Sequence, residues 1–166
     1  MPVRPFTLAA RVLHFGRYGS GAEDSRLAPL FLGYPSLVRG YDIGSFSANE
    51  CPTDSNTCPA FYRLLGSRLL VGNFELRFPL LGVLGVGSGY YGALPIEAAL
   101  FADGGVAWTD AEKASFFGGN RKPVSSAGFA LRMNLLGYAI GEVDLVKPFQ
   151  RPDKGWYLQF SLTPGF

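Results

Sequence analysis

The residue with the most chemistry to offer is an arginine in a turn. It stands in Leu37-Val38-Arg39-Gly40-Tyr41, inside the longer stretch from Phe31 to Asp42. Gly40 permits a close approach or a positive φ, and Tyr41 offers a flat anchor. Such a turn would present a guanidinium, a planar fork of five N–H donors suited to carboxylates. The same tripeptide arises by chance in surface loops, so its meaning rests on the rest of the chain. Other chemistry is thin. His14, the single histidine, sits in an alternating segment and reads as structural. There is no Ser/His/Asp set. Glu142 and Asp144 lie two apart on one face, which suits a pair of interior carboxylates better than a glycosidase pair. The glycine-rich stretch 82–92 has no Lys-Ser/Thr after it and matches no phosphate-binding signature. No catalytic residue, cofactor or metal site is expected.

Cys51 and Cys58 lie in a polar, turn-rich segment, Glu50 to Pro59. A disulfide closing this small loop is the preferred reading if the compartment is oxidising. With one distant histidine and no second cysteine pair, a metal site is not expected.

Composition narrows the class. Charged residues make up 17% of the 166, hydrophobic residues 48%, and 22 are glycine. An ordinary soluble domain carries about 25% charged residues. A formal charge of +2 is too small to argue for nucleic acid. No apolar run reaches the roughly 18 residues of a membrane helix. That leaves a β protein facing lipid or a large β core. The first six residues lack the apolar region and cleavage site of a signal peptide. If the mature protein lies outside the cytoplasm, its export signal is expected to lie further upstream.

Period-two alternation marks six strands, at about 6–15, 68–78, 95–107, 125–135, 138–147 and 154–166. In the last, Trp156, Leu158, Phe160, Leu162 and Phe166 share one face; Tyr157, Gln159, Ser161 and Thr163 share the other. The polar faces carry Glu75, Arg77, Glu97, Asp103, Arg132, Glu142 and Asp144. Each strand is near the 9–11 residues that cross a bilayer at a tilt. The connections at 16–67 and 108–124 are long, whereas Leu136-Gly137 forms a hairpin turn. A soluble sandwich and a membrane barrel both accommodate this alternation, so it does not choose between them.

Several motifs follow in order. After Val38-Arg39-Gly40-Tyr41 come 72–80 (Gly-Asn-Phe-Glu-Leu-Arg-Phe-Pro-Leu) and 101–108 (Phe-Ala-Asp-Gly-Gly-Val-Ala-Trp). Then follow 126–132 (Ser-Ala-Gly-Phe-Ala-Leu-Arg), 143–149 (Val-Asp-Leu-Val-Lys-Pro-Phe) and the aromatic-ended strand. In this order they resemble the C-terminal part of the BamA/TamA family barrel, the bacterial surface antigen domain, across essentially the whole chain. The resemblance implies an all-β fold: a transmembrane antiparallel β-barrel, of which residues 1–166 are the last six of sixteen strands. Residues 16–67 would be a long extracellular loop folding into the lumen. Arg39 would be the arginine that locks this loop, Glu75 and Asp103 its acidic partners, and Phe166 the end of a C-terminal assembly signal. Tyr41 replaces the more usual Phe, and the Cys51–Cys58 segment is an elaboration outside the family pattern.

The function so implied is insertion or translocation of proteins at the outer membrane of a Gram-negative-type envelope. It acts through a lateral strand seam and needs no chemical step. The implied partners are outer-membrane lipid, the remaining barrel strands or parent chain, and unfolded outer-membrane or secreted clients. Periplasmic domains or lipoproteins join them; nucleic acid does not. The alternative is a passive anchor or export pore for a fused N-terminal domain. Six strands are too few to close a membrane barrel, since the smallest use eight, so more strands are expected from a longer chain or from other chains.

Overall fold

A computed structural model describes residues 5–47, 50–51, 58–84, 96–135 and 137–164. Its main body is one antiparallel sheet of β1 (Thr7–Gly16), β4 (Arg68–Pro79), β5 (Ile96–Trp108), β6 (Val124–Leu135), β7 (Ala139–Pro148) and β8 (Tyr157–Pro164), in that spatial order. The fold is all-β, and the sheet is open, with β1 and β8 at its edges. The alternating residues form these strands because one face of each is apolar and the other polar. Among the described residues no helix is long and apolar enough to cross a membrane.

Parity holds across every ladder. Leu8, Val12, Phe74, Leu100, Val143, Leu158 and Phe160 project from one face and are exposed, Val12 by 75% and Leu158 by 71%. Glu75, Asp103, Ser126, Asp144 and Gln159 lie on the other face and are buried. The ladders pair Ala9 with Glu75, Glu75 with Phe101, Phe101 with Gly128, Gly128 with Val146 and Val146 with Tyr157. These residues make one inner-face row from edge to edge.

The last strand is shorter than the sequence suggests. It begins at Tyr157, and Lys154 instead directs its ammonium to the Ser45 carbonyl at 2.8 Å. Trp156 precedes the strand and is exposed. Nor is 16–67 a plain loop. It contains a two-residue ladder of β2 (Leu30–Phe31) with β3 (Leu65–Gly66), a 3-10 turn Ile43–Ser45 and a one-turn helix α1 (Pro59–Tyr62). This ladder escaped notice because two residues are too few to show a period. The inner face is also not polar throughout. Towards the long-loop end, Leu69 and Val71 of β4, Ala107 of β5 and Val124 of β6 form a core with Leu32, Val38, Tyr41 and Leu64 of the loop. Inward apolar residues are affordable there because the loop covers them.

His14 lies on the outer face against Trp108, with ring centroids 5.7 Å apart. Its Nδ1 donates to the Leu69 carbonyl at 2.8 Å, and Nε2 lies 2.6 Å from the Tyr18 hydroxyl. The connection 109–123 folds against this side, placing Phe116 and Phe117 beside the Trp108 ring. Most of the glycine-rich 82–92 stretch, along with Leu136 and Phe166, lies outside the described residues.

Gly128 has a packing role. A Cβ there would stand 2.2 Å from the Leu145 carbonyl oxygen and 2.7 Å from Phe101 Cζ. The missing side chain is what lets the Phe101 ring lie over β6. In the intact protein, Gly128→Ala should therefore cost about 1–3 kcal/mol by overpacking, read as a lower urea unfolding midpoint. An unchanged midpoint would show that this contact is slack.

Candidate functional site

The inner face holds the loop by its arginine. Tyr34 to Val38 form a turn in which the Tyr34 carbonyl accepts from the N–H groups of Leu37 and Val38, at 2.8 and 3.1 Å. The chain then reverses at Gly40, whose φ is +90°. A side chain there would be strained and would meet Val146 Cγ2 at 2.9 Å. This pair of turns drives Arg39 into the sheet, where it is 4% exposed.

The guanidinium meets carboxylates from three strands. Nε and Nη2 donate to the two oxygens of Asp103 (β5) at 2.7 and 3.0 Å, a fork-to-fork pair. Nη2 also donates to Glu75 (β4) at 2.8 Å, and Nη1 to Glu142 (β7) at 3.1 Å. Asp144 Oδ1 lies 3.8 Å from Nη1. Beneath the cation lies the Phe101 ring, its centroid 3.6 Å from Cζ, a cation–π contact. The structure thus brings Arg39, Glu75 and Asp103 together.

A surrounding lattice fixes these partners. Arg132 (β6) bridges Glu75 and Glu142, with contacts of 2.7 Å to each. Arg77 donates to Glu75 at 2.7 Å. Asn73 donates to both Asp103 Oδ1 and the Leu37 carbonyl at 2.8 Å. Arg132, Glu142 and Asp144 were legible as inward charges from parity, but nothing in the sequence connected them to Arg39.

Sequence reasoning missed a second anchor altogether. Arg151, 1% exposed, reaches the loop from the connection between β7 and β8. Its Nη1 donates to the Gly40 carbonyl and to Ser45 Oγ, at 2.8 and 2.7 Å. Its Nη2 and Nε donate to the two oxygens of Glu50, at 2.8 and 2.6 Å, and the Phe46 ring stacks on it at 3.9 Å. Tyr41 is fixed nearby, its hydroxyl 2.9 Å from the Ser125 carbonyl and 2.8 Å from Gln150 Oε1. Cys51 and Cys58 are joined in a disulfide directly after Glu50, beside this anchor. The other sequence-predicted residues sit apart from the site. Leu158, Phe160 and Leu162 point outward with Trp156 exposed beside them, and Phe166 lies outside the described residues.

A sheet apolar outside and charged within, with a loop clamped to its inner wall, has the build of an outer-membrane barrel wall. Residues 6–166 match the family model of the Omp85 superfamily domain, and the chain belongs to that superfamily. Its members typically reside in the outer membrane and include protein insertion and translocation barrels. No curated protein and no solved structure matched the chain.

The Arg151 anchor has a pH signature. Hydrogen bonds from Arg151, opposed by burial and aided by Ser47, pull the Glu50 carboxyl down from the usual range to about 2. A carboxyl lowered in the folded state stabilises above its unfolded pKa and loses that effect as pH falls through the folded value. The stability advantage of the native protein over Glu50→Gln should be level above about pH 4.5 and shrink towards pH 2. Pepsin cleavage of the loop at stepped acid pH reads this difference, and a gap independent of pH would exclude the charge as its cause.

Proposed function

We propose that this chain supplies the C-terminal six strands of a sixteen-stranded BamA/TamA-type barrel, with 16–67 as its lumen-reaching loop. The complete barrel inserts or translocates proteins through a lateral seam. Val38, Arg39, Gly40 and Tyr41 form the lock on the loop side, and Glu75 and Asp103 form it on the wall. The supporting observation is the seat of Arg39: one loop cation held by carboxylates from β4, β5 and β7. A loop passing over a sheet by chance would not bury a guanidinium so completely, because desolvation opposes it.

No chemical step belongs to this reading. A client strand pairs with an exposed strand edge through main-chain hydrogen bonds, and β8 supplies such an edge at the seam. Its outward Leu158, Phe160 and Leu162 are exposed, as lipid-facing side chains of a barrel would be. The partners are outer-membrane lipid, the rest of the barrel, unfolded clients, and periplasmic domains or lipoproteins on the inner side.

In the intact parent protein reconstituted in liposomes, Arg39→Ala should expose the loop to protease and reduce client insertion at least several-fold. If the barrel is instead a passive anchor or export pore, the native protein inserts no client and the variant changes only leak. Deleting Phe166 should lower the amount of assembled protein in the outer membrane; normal surface levels would remove it from the assembly signal.

A further inference from the structure

We propose that Gln159 and Tyr157 make the loop a clasp on the last strand: β8 cannot part from β7 while the loop is seated, and releasing the loop loosens β8. The inference deepens the seam reading above and rests on it for its biological use.

Among the described residues, β8 is held in the sheet by a single ladder, from Val146↔Tyr157 to Ala139↔Pro164. Its outward side chains are exposed. Its inward side chains bind the loop. Gln159 is 6% exposed, and its Oε1 accepts the Gly40 N–H at 2.9 Å. The Tyr157 hydroxyl donates to Asp42 Oδ1 at 3.0 Å. Gly40 is held from both sides, since its carbonyl accepts from Arg151 just before β8. The next residue back is Arg39, clamped to β4, β5 and β7. A short stretch of backbone thus links β8 to three other strands by a route independent of the β7–β8 ladder.

The coupling follows from what peeling β8 away would leave. The Gly40 N–H would be buried without a partner, and such groups are costly. Asp42 would lose its donor at the same time. Peeling therefore favours release of the loop, and release removes two of the anchors on β8. Linkage requires the two effects to be equal in size. If the Gln159 and Tyr157 contacts carried no coupling, neither effect would be seen.

The test uses the intact parent protein in liposomes without client. Hydrogen exchange should show β8 and β7 ladder amides exchanging at least ten-fold faster in Arg39→Ala, with the central β5–β6 ladder unchanged. Conversely, Tyr157→Phe with Gln159→Leu should raise protease cleavage of the loop at least ten-fold. If Arg39→Ala fails to assemble, it is replaced by Val38→Ala, which removes a fully buried loop side chain and leaves Arg39 and its carboxylates in place. The clasp is overturned if the loop variant leaves β8 exchange unchanged, or if the strand variant leaves cleavage unchanged. Client insertion is scored separately: if insertion is absent while both couplings hold, the seam reading fails and the clasp stands.

Discussion

A guanidinium out of water must be matched by carboxylates held at fixed places, and that requirement organises this molecule. Glu75, Asp103 and Glu142 converge on Arg39 only while β4, β5, β6 and β7 keep their register. A slip of one residue turns every side chain to the opposite face. It would carry Asp103 or Glu75 to the side that exposes Leu100 and Phe74. The converse also holds. Carboxylates gathered on one wall repel one another unless cations stand between them, and Arg39 and Arg132 do so. Loop and sheet therefore specify each other.

Position and affinity come from different parts of the loop. A buried ion pair returns in attraction roughly what desolvation costs, so it fixes geometry more than it stabilises. The apolar patch nearer the loop end behaves differently. Leu32, Val38 and Leu64 are fully buried against Leu69, Val71 and Val124. Each such side chain is worth about 1.5–3 kcal/mol relative to exposure. The apolar patch thus holds the loop down, and Arg39 determines where it sits. This division explains why the inner face changes from charged to apolar along the strands.

The six strands were legible because two solvents impose a period of two, and the observed ladders follow that parity from Thr7 to Pro164. Parity marked Glu75 and Asp103 as inward charges, but their pairing with Arg39 was legible only through the order of motifs resembling a known family. The rest of the site was not. Arg151 occupies an irregular connection where parity says nothing, and its partners Gly40, Ser45 and Glu50 are about a hundred residues away. Gln159 was read as one more inward polar residue, since a side-chain oxygen aimed at one particular amide leaves no trace in composition. The inward leucines and valines of β4 were obscured for a related reason. Their cover is supplied by the loop, and a local window does not contain it.

The loop also touches both free edges of the sheet. At one edge Arg11 of β1 donates to the Ser36 carbonyl and to Asn73. At the other, Gln159 and Tyr157 of β8 meet Gly40 and Asp42. Strands spaced about 4.8 Å apart would put the edges of a flat six-stranded sheet roughly 24 Å apart. The backbone from Ser36 to Gly40 cannot span that, because extended chain covers at most about 3.3–3.6 Å per residue and this stretch is turned at Val38 and Gly40. Side-chain reach from Arg11 and Gln159 makes up the difference. The loop therefore ties the two edges together, and its length and turns limit how far they spread.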